Sequence, residues 1–259
     1  MAITKLYDPS NGQMRVVGLM SGSGSNLVKI IEHERGIFQR KRESPYKVVA
    51  IFSDNPKSNA VKIGRDFDIP TVICDIKEFY KTRGKPRRDM NVRREFDKQT
   101  VMALSLFKAS VAAYAGYMAL ASPVLVNHFI GVNVHPADLS IKNEKGKRKY
   151  TGDNAVREAL FARERELRAS THIIDKEVDH GPILMISSPI STNLPQNFQD
   201  LSEENLRNVI DSHQNALKEV GDWDIFPKTL QYMADGKYAR DEKGSSYFNG
   251  NPIPNGVRT

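Results

Sequence analysis

Apolar stretches alternate along this chain with segments in which apolar residues recur every three or four positions. Continuous apolar runs rich in β-branched residues predict strands, and a period near 3.6 residues predicts helices. The predicted strands are MRVVGLM (14–20), YKVVAIFS (46–53), IPTVIC (69–74), SVAAYAG (110–116), IGVNVH (130–135), ASTHIID (169–175) and PILMISSPI (182–190). The predicted helices are NLVKIIEHE (26–34), NAVKIGRDF (59–67), VRREFDKQTVMALSLF (92–107), SPVLVNHF (122–129), DNAVREALFARERE (153–166), NLRNVIDSHQNALKEV (205–220) and FPKTLQYMADG (226–236).

This alternation predicts an α/β fold, with an open, mostly parallel twisted sheet flanked by helices in a Rossmann-like arrangement. No internal repeat and no long linker divides the chain, so we expect a single domain over residues 1–259. Residues 1–13 precede the first strand as an N-terminal extension. Residues 238–259 form a C-terminal tail rich in Gly, Asn and Pro.

The composition is typical of a soluble globular protein, with 39% hydrophobic and 27% charged residues. The single cysteine, Cys74, excludes a disulfide within the chain, and no apolar leader is found at the start, so we expect a cytoplasmic location. Residues 109–126 are nearly uncharged, but Gly116 and Pro123 interrupt them. Because Ser122 and Pro123 are typical of a helix start, this segment indicates strand, turn and helix rather than a membrane span.

The net charge of +7 is concentrated in basic segments, chiefly 81–94 and 142–149. Such segments are most often solvated loops, and neither an aromatic RNA-binding signature nor zinc-ligand spacing accompanies them. We therefore expect small-molecule partners, with no nucleic acid and no membrane, and a homodimer as the candidate assembly. The insert over residues 140–152 has a polar, basic centre, which predicts a mobile cationic flap that attracts anionic ligands.

Polar residues follow several predicted strands, and open α/β sheets bind ligands at the carboxyl ends of their strands. Asn133 and His135 are two positions apart in one strand, so their side chains share a face. Asp179 stands in a loop just before Gly181 and Pro182. Its carboxylate is a candidate to orient an imidazole, although capping the turn is the simpler alternative.

The loop SGSGSN (21–26) lies between a predicted strand and a predicted helix, where glycine exposes backbone N–H groups to an anion. It lacks the GK[ST] of a P-loop, and Leu27 occupies the third glycine position of a dinucleotide fingerprint. Phosphate binding by Gly24, Ser25 and Asn26 therefore fits this loop better than binding of NAD with Asp54 as the ribose acceptor. An ordinary strand–helix turn remains the alternative.

The segments SGSGSN, AGYMALASP, NVHPADL, VDHGPIL and NGNPIPNGV occur in an order and at spacings that resemble the folate-dependent formyltransferases. The resemblance implies a formyltransferase fold and transfer of a formyl group from 10-formyltetrahydrofolate to the amine of glycinamide ribonucleotide, in purine biosynthesis. It implies no metal. The implied catalytic residues are Asn133, His135 and Asp179, and the implied phosphate-binding residues are Gly24, Ser25 and Asn26. The implied folate-binding residues are Arg93, Met118, Ala119, Leu120, Asp175, Glu177 and Val178, and the implied amine pocket is Gly116, Pro136, His172 and Gln214.

The chain departs from the family pattern at three places. Ala119 stands where an arginine is common, a basic insert replaces a short loop before residues 150–152, and Gln214 matches a substrate-contacting glutamate. These departures leave two alternatives open. One is a formyltransferase that acts on another amine, such as an amino-sugar nucleotide. The other is a non-catalytic module that binds a nucleotide or an anion.

Overall fold

Fourteen strands and eight α-helices are found in the computed structural model, which describes residues 2–259. The strands are β1 (Ile3–Lys5), β2 (Met14–Met20), β3 (Tyr46–Ser53), β4 (Thr71–Ile73), β5 (Val111–Tyr114), β6 (Ile130–His135), β7 (Glu166–Leu167), β8 (Ser170–Ile173), β9 (Ile183–Ile186), β10 (Ile190–Ser191), β11 (Tyr238–Asp241), β12 (Ser246–Phe248), β13 (Asn251–Pro252) and β14 (Val257–Arg258). The helices are α1 (Ser25–Lys41), α2 (Ala60–Phe67), α3 (Ile76–Lys81), α4 (Met90–Ser105), α5 (Pro123–His128), α6 (Ala155–Phe161), α7 (Glu203–Leu217) and α8 (Trp223–Ala234).

The main sheet has eight strands in the order β14-β9-β8-β6-β5-β2-β3-β4. Strands β4, β3, β2, β5 and β6 run parallel to one another, whereas β8 runs antiparallel to both of its neighbours. The prediction of an open, mostly parallel sheet flanked by helices is therefore confirmed. The predicted helix over 153–166 is too long, because Arg163 adopts a positive φ of 56° and the chain then enters β7.

Two layers of apolar side chains pack on the two faces of the main sheet. One layer includes Leu27 and Ile30 of α1 and Leu230 of α8, and the other includes Phe96 and Leu104 of α4. Strand β2 is buried on both faces except at Arg15, as expected for a central parallel strand. The carboxyl ends of these strands are thereby fixed along one edge of a rigid sheet.

The two terminal segments form strands that the amino-acid pattern did not predict. Strand β1 pairs with β11 in a four-stranded antiparallel sheet in the order β1-β11-β12-β13. Strand β14 then joins the main sheet parallel to β9, and the Arg258 guanidinium lies 3.1 Å from a carboxylate oxygen of Asp138. Asp138 lies three residues beyond the end of β6, so the tail reaches the neighbourhood of the strand that carries Asn133 and His135.

The nearly uncharged segment 109–126 forms β5, a loop and α5, as the interpretation of strand, turn and helix predicted. Ser122 caps α5, since its hydroxyl accepts the N–H of Val124 at 3.3 Å, and Pro123 occupies the first turn. Within residues 2–259, none of the helices combines the length and the apolar character that crossing a membrane requires.

A buried ion pair on α4 anchors the loop that follows β5. The Arg93 guanidinium lies 2.9 Å from Oδ1 of Asp97, and their side chains are 3% and 0% exposed. Oδ2 of Asp97 accepts the backbone N–H of Ser122 at 2.7 Å, while Arg93 donates to the Tyr117 hydroxyl at 2.8 Å. Residues 117–122 are thus tied to α4 at both of their ends.

We expect Asp97→Ala to destabilise the protein by about 3–5 kcal/mol, because it leaves a buried guanidinium without its counter-charge. Urea unfolding of the variant and its parent measures the difference. Asp66→Ala is the control, since Asp66 belongs to an exposed pair with Lys62, and such pairs contribute roughly 0–1 kcal/mol. A loss no larger for Asp97→Ala than for the control would contradict an anchoring role for the pair.

Candidate active site

Strand β6 presents Asn133 and His135 at its carboxyl end. Asn133 pairs across the sheet with Tyr114 of β5 on one side and with His172 of β8 on the other. His135 is buried, at 5% exposure, whereas Asn133 is only partly buried. The alternation of the strand therefore places both polar side chains on one face, and Asn133 retains access to solvent.

The loop between β8 and β9 carries Asp179 back over this face. Because β8 is antiparallel to β6, the last residue of β8 lies toward the start of β6. The chain must therefore reverse after β8 to bring Asp179 back to the carboxyl end of β6. The reversal is tight, since a Cβ on Gly181 would lie 1.8 Å from the carbonyl oxygen of Ile173. Ile173 also donates its backbone N–H to the carbonyl of Pro182 at 2.9 Å. Position 181 therefore requires glycine, because a side chain there would clash with the Ile173 carbonyl.

The Asp179 carboxylate lies at the centre of a buried polar cluster. Oδ2 is 3.4 Å from Nδ1 of His135 and accepts the backbone N–H of Gly152 at 2.8 Å, while Oδ1 is 3.4 Å from Nε2 of His172. Burial alone would raise the pKa of Asp179, but the contacts with His172, His135 and Gly152 outweigh it and lower the pKa to about 2. Folding therefore favours the carboxylate, and its stabilisation is complete above pH 3.8 and is lost as the pH falls through about 2.

His135 is held at both ring nitrogens. Nδ1 faces Asp179, and Nε2 lies 3.0 Å from the carbonyl oxygen of Tyr150, which can only accept a proton. Burial lowers the pKa of His135, and the charge of Asp179 opposes this shift without reversing it. The Tyr150 carbonyl is placed to accept a proton from Nε2, and Asp179 is placed to stabilise the imidazolium whenever it forms.

His172 is a buried residue that contacts both Asn133 and Asp179. It is 1% exposed, so it does not line an open amine pocket as the resemblance implied. Its Nδ1 lies 2.9 Å from the carbonyl oxygen of Ile173, and its Nε2 lies 3.2 Å from the amide nitrogen of Asn133. A protonated Nε2 donates to Asp179, whereas an unprotonated Nε2 accepts from Asn133. In the second state the amide of Asn133 is oriented and keeps one N–H for a ligand.

The basic insert is a hairpin that contacts the site. Lys142 and Arg148 form an antiparallel bridge, and the backbone N–H of Asn143 donates to the carbonyl of Lys147 at 2.8 Å. The Arg148 guanidinium donates to the backbone carbonyls of Asp179 and Gly181, the second at 2.8 Å. The prediction of a mobile flap is therefore wrong for the end of the insert at Arg148, because hydrogen bonds hold this polar segment even though it lacks apolar contacts.

The candidate phosphate loop, Gly24–Asn26, forms the start of α1 directly after β2. Gly24 has a φ of +71°, and a Cβ there would lie 2.6 Å from Ile63 and 2.7 Å from Met20. No side chain caps α1, and no acidic residue occurs in its first turn. Free N–H groups and the positive end of the helix dipole therefore face outward, which favours an anion.

The loop after β5 lies against the loop after β2. The backbone N–H of Ser21 donates to the carbonyl of Gly116 at 3.0 Å, and the Ser21 hydroxyl accepts the N–H of Met118 at 3.0 Å. Gly116 has a φ of +79°, a conformation that favours glycine. Pro136 follows His135 directly and is partly buried. The loops after β2 and β5 therefore meet at the carboxyl ends of neighbouring strands, where the crevice is predicted.

Three of the predicted folate-binding residues are exposed apolar side chains. Met118, Leu120 and Val178 are 69%, 60% and 53% exposed. Asp175 and Glu177 are exposed in the loop before Asp179, where the Asp175 carboxylate accepts the N–H of Glu177 at 2.9 Å. Unpartnered apolar groups beside a polar cluster are typical of a ligand site.

Two other predicted folate-binding residues have structural contacts instead. Arg93 is 2% exposed and is committed to Asp97 and Tyr117, so it supports the wall of the crevice rather than reaching into it. Ala119 is partly buried against the apolar layer that contains Phe96. The arginine common at this position is thus replaced by a small packing residue.

Gln214 and the phosphate loop lie in different parts of the structure. Gln214 lines a groove between α6 and α7 together with Asp153, Asn154 and Arg207. The acidic residue that does reach the phosphate loop is Asp222, whose Oδ2 accepts the Asn26 amide at 3.1 Å. Gln214 therefore does not take the place of a carboxylate beside Asn26, and Asp222 occupies that position.

The sequence pattern did not identify Asp222, because a π-helical turn over Lys218–Asp222 interrupts the helical periodicity between α7 and α8. The side chain is 6% exposed, and burial raises its pKa to about 6 despite the hydrogen bond from Asn26. Oδ1 of Asp222 and Oδ1 of Asn26 are both buried without a hydrogen-bond partner within residues 2–259. A ligand hydroxyl at this position would satisfy the unpaired carboxylate oxygen.

Asp54, the candidate ribose acceptor of a dinucleotide, is only 4% exposed after β3, and burial raises its pKa. A carboxyl this deeply buried is poorly placed to reach the ribose of NAD. Across residues 2–259, no group of three or more His, Cys, Asp or Glu side chains is arranged to hold a metal ion.

The chain is similar to known proteins over most of its length. The formyl transferase family model matches residues 14–208. Phosphoribosylglycinamide formyltransferase of Escherichia coli strain K12 is 25% identical over 243 residues, covering 93% of this chain and 96% of that protein. The trifunctional purine biosynthetic protein adenosine-3 of Drosophila melanogaster is 28% identical over 88% of this chain, which spans 14% of that longer protein.

A solved structure of phosphoribosylglycinamide formyltransferase from Coxiella burnetii has the same fold. Its TM-score is 0.70 at 23% identity, and the match covers 95% of this chain and 99% of that one. The family match spans β2 to α7 and contains Asn133, His135 and Asp179. On the strength of that match, the chain belongs to the formyl transferase family.

Proposed function

We propose that the protein transfers a formyl group from 10-formyltetrahydrofolate to the amine of glycinamide ribonucleotide. The observation that carries the proposal is the buried cluster in which Asp179 lies 3.4 Å from both His135 and His172, beside a partly exposed Asn133. The relatives from E. coli and C. burnetii bear the name of this activity. The proposed partners are these two small-molecule substrates.

The two substrates fit complementary parts of the crevice. The start of α1 offers N–H groups to the phosphate of the ribonucleotide, and the unpaired oxygen of Asp222 is available to one of its hydroxyl groups. Exposed Met118, Leu120 and Val178 offer an apolar surface to the flat ring system of a folate. The folate would supply the formyl carbonyl, and the protein's residues act on the charges that develop during transfer.

Formyl transfer to an amine passes through a tetrahedral intermediate with a negative oxygen and a positive nitrogen. The free N–H of Asn133 can donate to that oxygen, and one preorganised donor of this kind contributes roughly 3 kcal/mol. His135 lies against the Asp179 carboxylate, which offsets part of the cost of protonating its Nδ1 in the buried site. Asp179, ionised throughout the neutral range, assists transfer of the amine proton to the folate nitrogen, which leaves as the bond between it and the formyl carbon breaks.

The test of the function is a formyl-transfer assay with a panel of amines. We expect turnover with glycinamide ribonucleotide and none with an amino-sugar nucleotide. Preferred turnover of the amino sugar would retain the reaction class and reject the acceptor. Binding of NAD(H) or of simple nucleotides without any formyl transfer would reject the enzyme assignment altogether.

We expect Asp179→Asn and His135→Ala each to lower kcat by roughly 100-fold or more, because each removes a group that stabilises the charge developing in the transition state. Steady-state kinetics on folded variants measure the loss. Asp153→Asn is the matched control, since Asp153 is an exposed carboxylate that directly follows Gly152. A folded Asp179→Asn variant within about threefold of the parent, a difference of ~0.6 kcal/mol, would rule out the catalytic role.

Gly24→Ala tests the phosphate loop. We expect it to raise KM for the ribonucleotide far more than KM for the folate, because a Cβ at a φ of +71° forces the loop away from Met20 and Ile63. The strained conformation should also cost about 1–2 kcal/mol of stability. Gly22→Ala is the control, since no atom lies within 4 Å of a Cβ there. Equal changes in the two KM values would remove this loop from the acceptor site.

Asp222→Asn should raise the stability of the protein while it weakens binding of the ribonucleotide. The pKa of about 6 lies above the unfolded value of 3.8, so the native state binds the extra proton and stability falls as the pH rises from about 4 to 6. The variant should lack this fall and gain up to about 3 kcal/mol at pH 7.5, while KM for the ribonucleotide rises. Unfolding at several pH values measures the first effect, with Asp224→Asn in the exposed pair with Lys228 as control. A pH dependence that is unchanged in Asp222→Asn would contradict the assignment.

A further inference from the structure

We infer that Arg148, in the basic insert, is a positioning residue that holds Asp179 in its working orientation. Its two terminal nitrogens donate separately to the backbone carbonyls of Asp179 and Gly181. This inference rests on the proposed function for its kinetic test, but the contact itself is independent of any substrate. Nothing in the strand and helix pattern, nor in the formyltransferase motifs, points to this residue.

The segment Arg148–Gly152 contacts the catalytic cluster at every second residue. Arg148 holds the backbone of Asp179, the Tyr150 carbonyl lies 3.0 Å from Nε2 of His135, and the Gly152 N–H donates to the Asp179 carboxylate at 2.8 Å. Lys149, between them, points away and pairs with Glu164 at 3.0 Å. Bends at residues 149, 150 and 152 turn the segment so that one side chain and two backbone groups reach the site. We call Arg148–Gly152 the strap.

Asp179 needs such support because of its backbone conformation. Its φ is +56°, in the left-handed region that costs a residue other than glycine roughly 1–2 kcal/mol. The four residues before it, 175–178, are exposed, so packing contributes little to holding the loop. A guanidinium fork spans two carbonyls with a fixed geometry, and an ammonium group cannot reproduce that geometry. Arg148 therefore supplies the rigidity that the loop lacks.

A positioning role predicts a specific kinetic pattern. The reacting groups of an enzyme must be placed to within a fraction of an ångström, and a misplacement of about 1 Å can cost roughly 100-fold in rate. Loss of the fork leaves the phosphate loop and Asp222 untouched, because neither contacts the strap. The expected result is a fall in kcat with KM for the ribonucleotide unchanged within about twofold, whereas a general loss of structure would change both values.

The experiment compares Arg148→Met, which keeps length without donors, with Arg148→Lys and Arg148→Ala. We expect kcat to fall about 10- to 100-fold in Arg148→Met and less in Arg148→Lys. Methylguanidinium added to Arg148→Ala should restore part of kcat, since it replaces the lost fork. The matched control is Arg240→Met, the same substitution at an exposed arginine of β11 whose side chain has no hydrogen bond or ion pair to any of residues 2–259.

A second measurement needs no substrate. Lys176 is an exposed tryptic site in the loop that Arg148 holds, so limited trypsin digestion followed by mass spectrometry reports the freedom of the loop. Cleavage after Lys176 should be faster in Arg148→Met than in the parent and in Arg240→Met. Unchanged cleavage, or a kcat within threefold of the parent, would overturn the inference. If the parent itself transfers no formyl group, the proposed function fails, and the cleavage rates alone decide whether Arg148 holds the loop.

Discussion

The ionised carboxylate of Asp179, buried among two imidazole rings and a backbone N–H, is the constraint on which the site depends. A charge in this position is tolerated only because each neighbour compensates part of its lost hydration. The compensation comes from three separate elements: His135 on β6, His172 on β8, and Gly152 at the end of the insert. The turn at Gly181, the antiparallel direction of β8 and the strap all serve to bring these groups to one point.

The sheet and strand β6 could be predicted from the sequence because their signals are local. Alternation in β6 places Asn133 and His135 on one face, and a glycine between a strand and a helix indicates the candidate phosphate loop. The meeting of Asp179 with His135 could not be derived, since it depends on a loop that reverses over an antiparallel strand. Strand alternation predicts which face a residue occupies, but it does not predict the path of a loop.

Each feature that sequence reasoning missed has its own physical cause. The contact of Asp222 with Asn26 is hidden by a π-helical turn that breaks the helical period, so the carboxylate was sought at Gln214. The family resemblance implied that Arg93 binds the folate, yet a buried partner, Asp97, is found four residues away. The terminal strands are stabilised by pairing, β1 with β11 and β14 with β9, rather than by the composition of the terminal segments, which are rich in turn-forming residues.

The hydrogen bond between Asn26 and Asp222 joins residues 196 positions apart. Contacts of such long range form late, because the entropy of closing a large loop must be overcome before they contribute. The proposed acceptor pocket is therefore expected to assemble after most helices and parallel strand pairs. During refolding, recovery of secondary structure should precede recovery of ligand binding, and a partly folded chain with nearly native helix content would still be inert. Binding of the proposed acceptor would thus report completion of the fold rather than its beginning.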